Sequence, residues 1–236
     1  MSKTVTQYWA DFFGLTIEDL GTDNVFIVPH KELIGYQGAW IFRHERTNII
    51  SVPDYLLESI KQAQPQIGRD QLFDTVYLNS LFDSRVERFI GPAYQGCLNF
   101  DDFVSVSNQC IHKATPSDSS RIAQLALACG QAEWEHSSID VQDEHIFIYV
   151  LNGEVVAAAN IKSENDYAVK VGVVTHPSHR GKGFGRATVN SAVAFAFSLN
   201  YLVLFQTLFS NLGSVKIAES LGFKKFAQTM AIRFDP

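Results

Sequence analysis

Cysteine is scarce in this chain of 236 residues: Cys97, Cys110 and Cys129 are the only three. An odd number without close spacing argues against a disulfide framework or a zinc site. It fits thiols that serve as small core residues in a reducing compartment. Long apolar runs are also missing. Ala192–Phe197 is among the longest, far short of the ~20 residues that span a bilayer. The opening Met-Ser-Lys-Thr-Val-Thr-Gln-Tyr carries no signal-type apolar region. These absences lead us to expect a soluble, cytoplasmic protein without membrane contacts. Basic residues are in deficit, with a net charge of −6, which argues against general nucleic-acid binding.

The sharpest absence is local. From Tyr167 to Ala218 there is no Asp or Glu, while the span holds Lys170, Arg180, Lys182, Arg186 and Lys216. The remainder of the chain therefore carries −11 of a total of −6. A region cleared of acid suits an anionic ligand; a solvated basic face is the bland alternative.

Within that span, Val171–Arg186 reads Val-Gly-Val-Val-Thr-His-Pro-Ser-His-Arg-Gly-Lys-Gly-Phe-Gly-Arg. The pattern predicts a strand to Thr175, a turn at Pro177, a glycine-spaced loop, and an apolar helix from about Phe184 to Leu199. Glycines at 181, 183 and 185 let the backbone turn tightly and approach a ligand. The unpaired amides of the first helical turn, with the helix dipole behind them, then point at an anion. Neither Gly-x-x-x-x-Gly-Lys-Ser/Thr nor Gly-x-Gly-x-x-Gly with a later acid fits, because Gly183 follows Lys182 and the acid is missing.

Arg180-Gly-Lys-Gly183-Phe-Gly185, preceded by Thr-His-Pro, resembles motif A of the GNAT superfamily of N-acetyltransferases. Downstream, the Tyr201–Gln206 strand, Asn211, Ser214, Ile217 and Leu221-Gly-Phe223 resemble the family's later motif. Upstream, Cys110-Ile-His-Lys-Ala-Thr-Pro-Ser-Asp118 resembles its first strand and helix start. The resemblance covers roughly residues 108 to 236 and implies an α+β fold: a GNAT-type mixed central sheet with a splayed strand pair and flanking helices, plus an N-terminal α+β domain. It implies acetyl-CoA as co-substrate, no metal, and an amine of a small molecule or peptide as acceptor, acetylated by direct attack. A homodimer is compatible with it.

The same resemblance implies roles. The backbone of Val173, Val174 and Thr175 would pair with pantetheine. Amides of Gly181, Lys182, Gly183, Phe184, Gly185 and Arg186 would hold the pyrophosphate, aided by the Arg180 and Lys182 side chains. Asn211 would anchor the arm from the far side, next to Ser214. A backbone amide near Val174 would polarise the thioester carbonyl. The family's usual Tyr, seven residues after the Asn, is Ala218 here, which leaves the general acid unassigned. Candidates for a base are Glu133 and Glu135 in Glu-Trp-Glu-His136, against a surface helix with Trp134 buried. His176 is a third, against a loop His that orders the turn at Pro177. His176-x-x-His179 lacks a third metal ligand, and Cys110 and Cys129 read as buried thiols rather than nucleophiles. An acyl-CoA-binding sensor that no longer turns over is the competing reading.

The chain divides into residues 1–106 and 107–236. The first part is either a degenerate copy of the same fold or a cap. In it we expect a helix at Tyr8–Leu15, a strand at Val25–Val28 and a hairpin of Ala39–Arg43 with Asn48–Val52. A helix from Pro53-Asp54 to about Gln64 follows, then one at Asp70–Leu78, and short strands at Val86–Ile90 and Gly96–Phe103. In the second, Thr115-Pro-Ser-Asp118 is a capping-box start to a helix ending at Gly130. Asn152-Gly153 marks a hairpin, and the order is β-α-α-β-β-β-α-β-α-β.

Overall fold

The computed structural model describes residues 4–83, 85–105 and 108–235. Its elements are α1 (Val5–Phe13), β1 (Val25–Pro29), β2 (Gly38–His44), β3 (Thr47–Val52), α2 (Asp54–Ala63), α3 (Thr75–Leu81), β4 (Val86–Leu98), β5 (Ile111–Lys113), α4 (Ser119–Cys129), α5 (Gln131–Ser137), β6 (Ile146–Leu151), β7 (Glu154–Ser163), β8 (Ala168–Thr175), α6 (Phe184–Ser198), β9 (Leu202–Leu208), α7 (Leu212–Ser220) and β10 (Lys224–Phe234). This is a mixed α+β fold. One compact unit holds the residues up to Gln95, Thr207–Ser210 and the stretch from Lys225 onward; the other holds Gly96–Gln206 and Asn211–Lys224. The sequence boundary between 106 and 107 lies outside the described residues.

In the first unit the strand order is β1-β3-β2-β10-β4. β1 runs parallel to β3, while β2 is antiparallel to both β3 and β10. Ile41, Ile50 and Ile232 are fully enclosed and pack with Leu56 and Ile60 of α2 and Leu78 of α3. Trp9 and Phe13 of α1 set their rings 4.9 and 5.0 Å from that of Phe42. Three local expectations change. α1 starts at Val5 because Thr4 Oγ1 accepts the Gln7 amide at 3.1 Å, and Gly14 at φ 70° ends it. The stretch around 70–78 splits into a 3-10 turn, Arg69–Phe73, and α3, because Asp74 Oδ1 caps the amides of Val76 and Tyr77 at 2.8 and 3.2 Å. The two short strands around Gly91-Pro92 are one strand, β4, and Phe100–Asp102 is a separate turn.

The second unit has strand order β9-β8-β7-β6-β5, antiparallel apart from the parallel β8–β9 pair. Its elements follow the chain order expected from the sequence except for the last strand, β10, which belongs to the first unit. Asp118 Oδ2 accepts from the Thr115 amide at 2.8 Å and hydroxyl at 2.9 Å, which starts the turn leading into α4. Asn152 and Gly153 both have positive φ, 52° and 86°, the requirement of a type I′ hairpin turn. Ile122 and Leu125 of α4 pack with Ile146, Ile148 and Ala158 of the sheet. On α6, Val189, Ala192, Val193 and Ala196 are fully enclosed, so the apolar helix is a core helix. The first strand is shorter than the expected Asn108–Lys113, starting at Ile111.

Candidate functional site

β8 pairs with β7 as far as Thr175, but with β9 only from Ala168↔Leu202 to Val171↔Phe205. Its last four residues run on past the end of that ladder, so the strand pair is splayed. The His176 amide donates to the Val156 carbonyl at 2.9 Å. By the alternation of an antiparallel ladder, Gly172 and Val174 then also turn their backbone groups toward β7, while Val173 and Thr175 turn theirs the other way. The Thr175 carbonyl accepts from Arg180 Nε at 3.2 Å. Val173 therefore presents its N–H and C=O to the opening, as the edge of a sheet does to an added strand. Val174 instead commits its backbone to β7 and its side chain to the core. Sequence does not distinguish the three residues, because ladder phase is set by pairing, not by residue type.

Beyond β8 the chain makes a short turn, Pro177–His179, and enters the glycine loop. Gly181 and Gly183 sit at φ 74° and 85°, where a side chain would be strained although nothing lies within 4 Å of the space it would fill. Gly183 is the N-cap of α6. The amides of the first turn of α6 have no carbonyl to meet within the helix and are left for an anion. Gly185 has a different reason to be glycine. A Cβ there would meet Thr175 Oγ1 at 2.6 Å, Ile217 Cδ1 at 3.3 Å and Val173 Cγ2 at 3.5 Å, so it lets α6, α7 and β8 converge. The Phe184 ring lies 4.6 Å from that of Tyr149.

The stretch free of acid in sequence is not free of it in space. Lys170 pairs with Glu164 at 2.8 Å, and Arg180 pairs with Glu133 of α5. Lys182 Nζ donates to the Ser178 carbonyl at 3.2 Å and Arg186 to the Ser220 carbonyl at 3.4 Å. Among the described residues neither pairs with a carboxylate, which leaves positive charge beside the loop.

The proposed bases are dispersed. Glu133 is held by Arg180. Glu135 is exposed and accepts from Gln131 Nε2 at 2.8 Å along α5. His176 Nδ1 accepts the Ser178 amide at 3.2 Å, so its ring orders the turn at Pro177. Its ring lies 5.3 Å from that of His179, and among the described residues no three His, Cys, Asp or Glu form a group that could hold a metal. Asn211 Oδ1 caps α7 by accepting the Ser214 amide at 3.2 Å. Ala218 is 0% exposed. Burial, followed by the charge of Glu133, raises the Cys129 thiol above its ordinary value. Burial alone pushes Cys97 up to about 12. Cys110, expected to be a buried thiol, is exposed, because β5 is a short edge strand that begins after it.

One group escaped the sequence reading. Asn160, 0% exposed in the apolar strand β7, donates to the Ser138 carbonyl at 2.9 Å and Asp143 Oδ2 at 2.6 Å, and accepts the Gly172 amide at 3.0 Å. A Cβ on Gly172 would run into the Ser137 carbonyl. The end of α5 thus lies on β8 at the residue where β8 leaves β9. A lone Asn in an apolar strand and a glycine mid-strand were the available signals.

The profile of the Acetyltransferase (GNAT) family matches residues 116–223. No curated protein matches the chain. Among solved structures, a GNAT-family acetyltransferase from Colwellia psychrerythraea is similar at TM-score 0.55 and 14% identity, over 78% of this chain and 75% of that one. A GNAT-family protein from Novosphingobium aromaticivorans is similar at 0.52 and 20%, over 64% and 68%. A GCN5-related N-acetyltransferase from Kribbella flavida is similar at 0.51 and 16%, over 67% and 64%. At these identities the structures speak for the fold, and the family match speaks for the domain. With the splayed strands and the glycine loop lying inside the matched residues, the part of the chain from 116 to 223 is a domain of the GNAT acetyltransferase family.

Proposed function

We propose that the protein is an acetyl-CoA-dependent N-acetyltransferase that transfers the acetyl group directly to an amine of a small molecule or peptide. The observation that carries this reading is the end of the β8–β9 ladder at Val171↔Phe205, with β8 running on into a positive-φ glycine loop. Free first-turn amides of α6, with Lys182 and Arg186 beside them, suit a diphosphate. Val173, turned toward the opening, suits the amides of an extended pantetheine arm. Gly181 and Gly183 leave room for an approaching phosphate, since open space lies where their side chains would stand. When bound, acetyl-CoA supplies the activated acyl group. The chain's part is to orient it and to direct a backbone N–H of the opening at the carbonyl oxygen. The Asn211 side-chain amide, at the head of α7, would contact the arm from the far side.

A second reading, a sensor that binds acyl-CoA without turnover, is favoured by two observations. A buried Ala occupies position 218, and Glu133 is tied to Arg180 rather than open to a substrate amine. Thiol release from acetyl-CoA, followed across a panel of small amines and peptides, decides between them. Turnover with any amine supports transfer. Tight binding of acetyl-CoA with no thiol release supports the sensor, and absence of binding overturns both. We further propose that the protein works in the cytoplasm without nucleic acid or membrane partners. No helix among the described residues is long and apolar enough to cross a membrane.

A further inference from the structure

We infer that Arg180 is a positioning residue, one that seats α5 beside the opening, and that the anion is left to the loop amides and their neighbouring cations. The inference rests on the acetyltransferase reading for its kinetic arm only. Arg180 stands at the entrance to the glycine loop, where sequence suggests a phosphate ligand, but both ends of its guanidinium are engaged. Nε donates to the Thr175 carbonyl at 3.2 Å and a terminal nitrogen pairs with Glu133 across 47 positions of sequence. An anion that recruited this guanidinium would have to break both contacts and leave the Glu133 carboxylate unneutralised beside a bound phosphate. Among the described residues Lys182 and Arg186 meet backbone carbonyls rather than carboxylates, so an anion reaches them without that cost.

What Arg180 holds is a helix of seven residues, Gln131–Ser137, too short to be stable without tertiary contacts. Its far end is fixed by Asn160 and by the close approach of the Ser137 carbonyl to Gly172. Its near end is fixed by the Glu133–Arg180 pair, about half exposed on both sides (49% and 48%). Since Gly172 is the first residue of β8 beyond the β9 ladder, α5 overlies the point where the opening begins. A helix at that place, tethered at both ends, forms a wall for whatever amine enters opposite the acyl group. Loosening the near tether therefore acts on the acceptor before it acts on the cofactor.

The test compares Glu133→Gln, Arg180→Gln and the double variant with the full-length parent. Amide hydrogen exchange of residues 131–137 in the ligand-free proteins should rise about three- to fivefold in each single variant, the range expected for a partly exposed ion pair, and no further in the double variant. In steady state, KM for the amine should rise by a similar factor in both single variants, with kcat and KM for acetyl-CoA unchanged within about twofold. Arg180→Lys keeps the charge but loses the Nε contact, and should fall between parent and Arg180→Gln. The inference is overturned if Arg180→Gln weakens acetyl-CoA by about tenfold or more while Glu133→Gln does not, or if exchange in α5 is unchanged. If the parent does not bind acetyl-CoA at all, the acetyltransferase reading fails, and the exchange arm still decides the role of Arg180.

Discussion

The Gly172 amide meets the Asn160 side-chain oxygen at 3.0 Å, on the strand that leaves its neighbour one residue earlier. The same Asn160 amide group satisfies the Ser138 carbonyl and Asp143, so one enclosed side chain serves two segments. Removing it takes a partner from three partly buried polar groups at once, and each such loss costs up to about 1–3 kcal/mol. Asn160→Ala should lower unfolding stability by about 2–4 kcal/mol in denaturant titrations. Asn160→Asp should be at least as damaging near neutral pH, because it places a second carboxylate against Asp143. A loss under about 0.5 kcal/mol in both would refute the role.

The glycines of the loop should separate by mechanism. At Gly183, Val faces no steric obstacle but must adopt φ near 85°, which costs roughly 1–2 kcal/mol and redirects the amides at the head of α6. Gly183→Val should therefore weaken CoA binding in calorimetry by more than tenfold with a small loss of stability. Gly185→Val must push α6 away from Thr175 and Ile217. That variant should lose mostly stability, by about 1–3 kcal/mol.

Restoring the family's tyrosine at position 218 should not restore an acid. Ala218 is fully enclosed at 0% exposure, on the inner side of α7. Inserting a phenol there overpacks the core at a typical cost of about 1–3 kcal/mol. Ala218→Tyr should melt earlier than the parent and show no gain in kcat at any pH. A rise in kcat with a new alkaline limb would show instead that the side chain reaches the opening.

Acid should act on the start of α4 through Asp118. Its side chain is 2% exposed. Burial alone would raise its pKa, but the Thr115 amide and hydroxyl and the Arg121 guanidinium outweigh that and hold it below the usual carboxylate range. A group lowered in the native state contributes stability above its unfolded value, near 3.9, and loses it as pH falls through the native value. Asp118→Asn should cost about 1–2 kcal/mol at pH 7, as a lost helix cap does. Measured by chemical unfolding, the deficit should shrink below about pH 4.

What could be read from sequence was what local chemistry decides. Thr115 and Asp118 announce a helix start, Asn152-Gly153 a type I′ turn, and the apolar face from Val189 to Ala196 a core helix. Each follows from a dihedral preference or a periodicity confined to a few residues. The boundaries that differ in the first unit are also set locally, by the caps at Thr4 and Asp74. Contacts across long separations were out of reach. Nothing near Arg180 in the chain points to Glu133, and the empty stretch from 167 to 218 says nothing of the carboxylates that fold onto it. The backbone phase that turns Val173 outward and Val174 inward depends on where β7 begins to pair.

β10 has consequences for biogenesis. It pairs with β2 from Gln228↔Arg43 to Arg233↔Gly38, and in the strand order it lies between β2 and β4. A ribosome that has made β1 to β4 has therefore made a sheet with its middle missing, and that gap stays open while the whole acetyltransferase segment is translated. Nascent chains arrested before residue 224 should hold this first unit in a protease-sensitive state, and a cut near residue 106 would strand β10 on the wrong fragment.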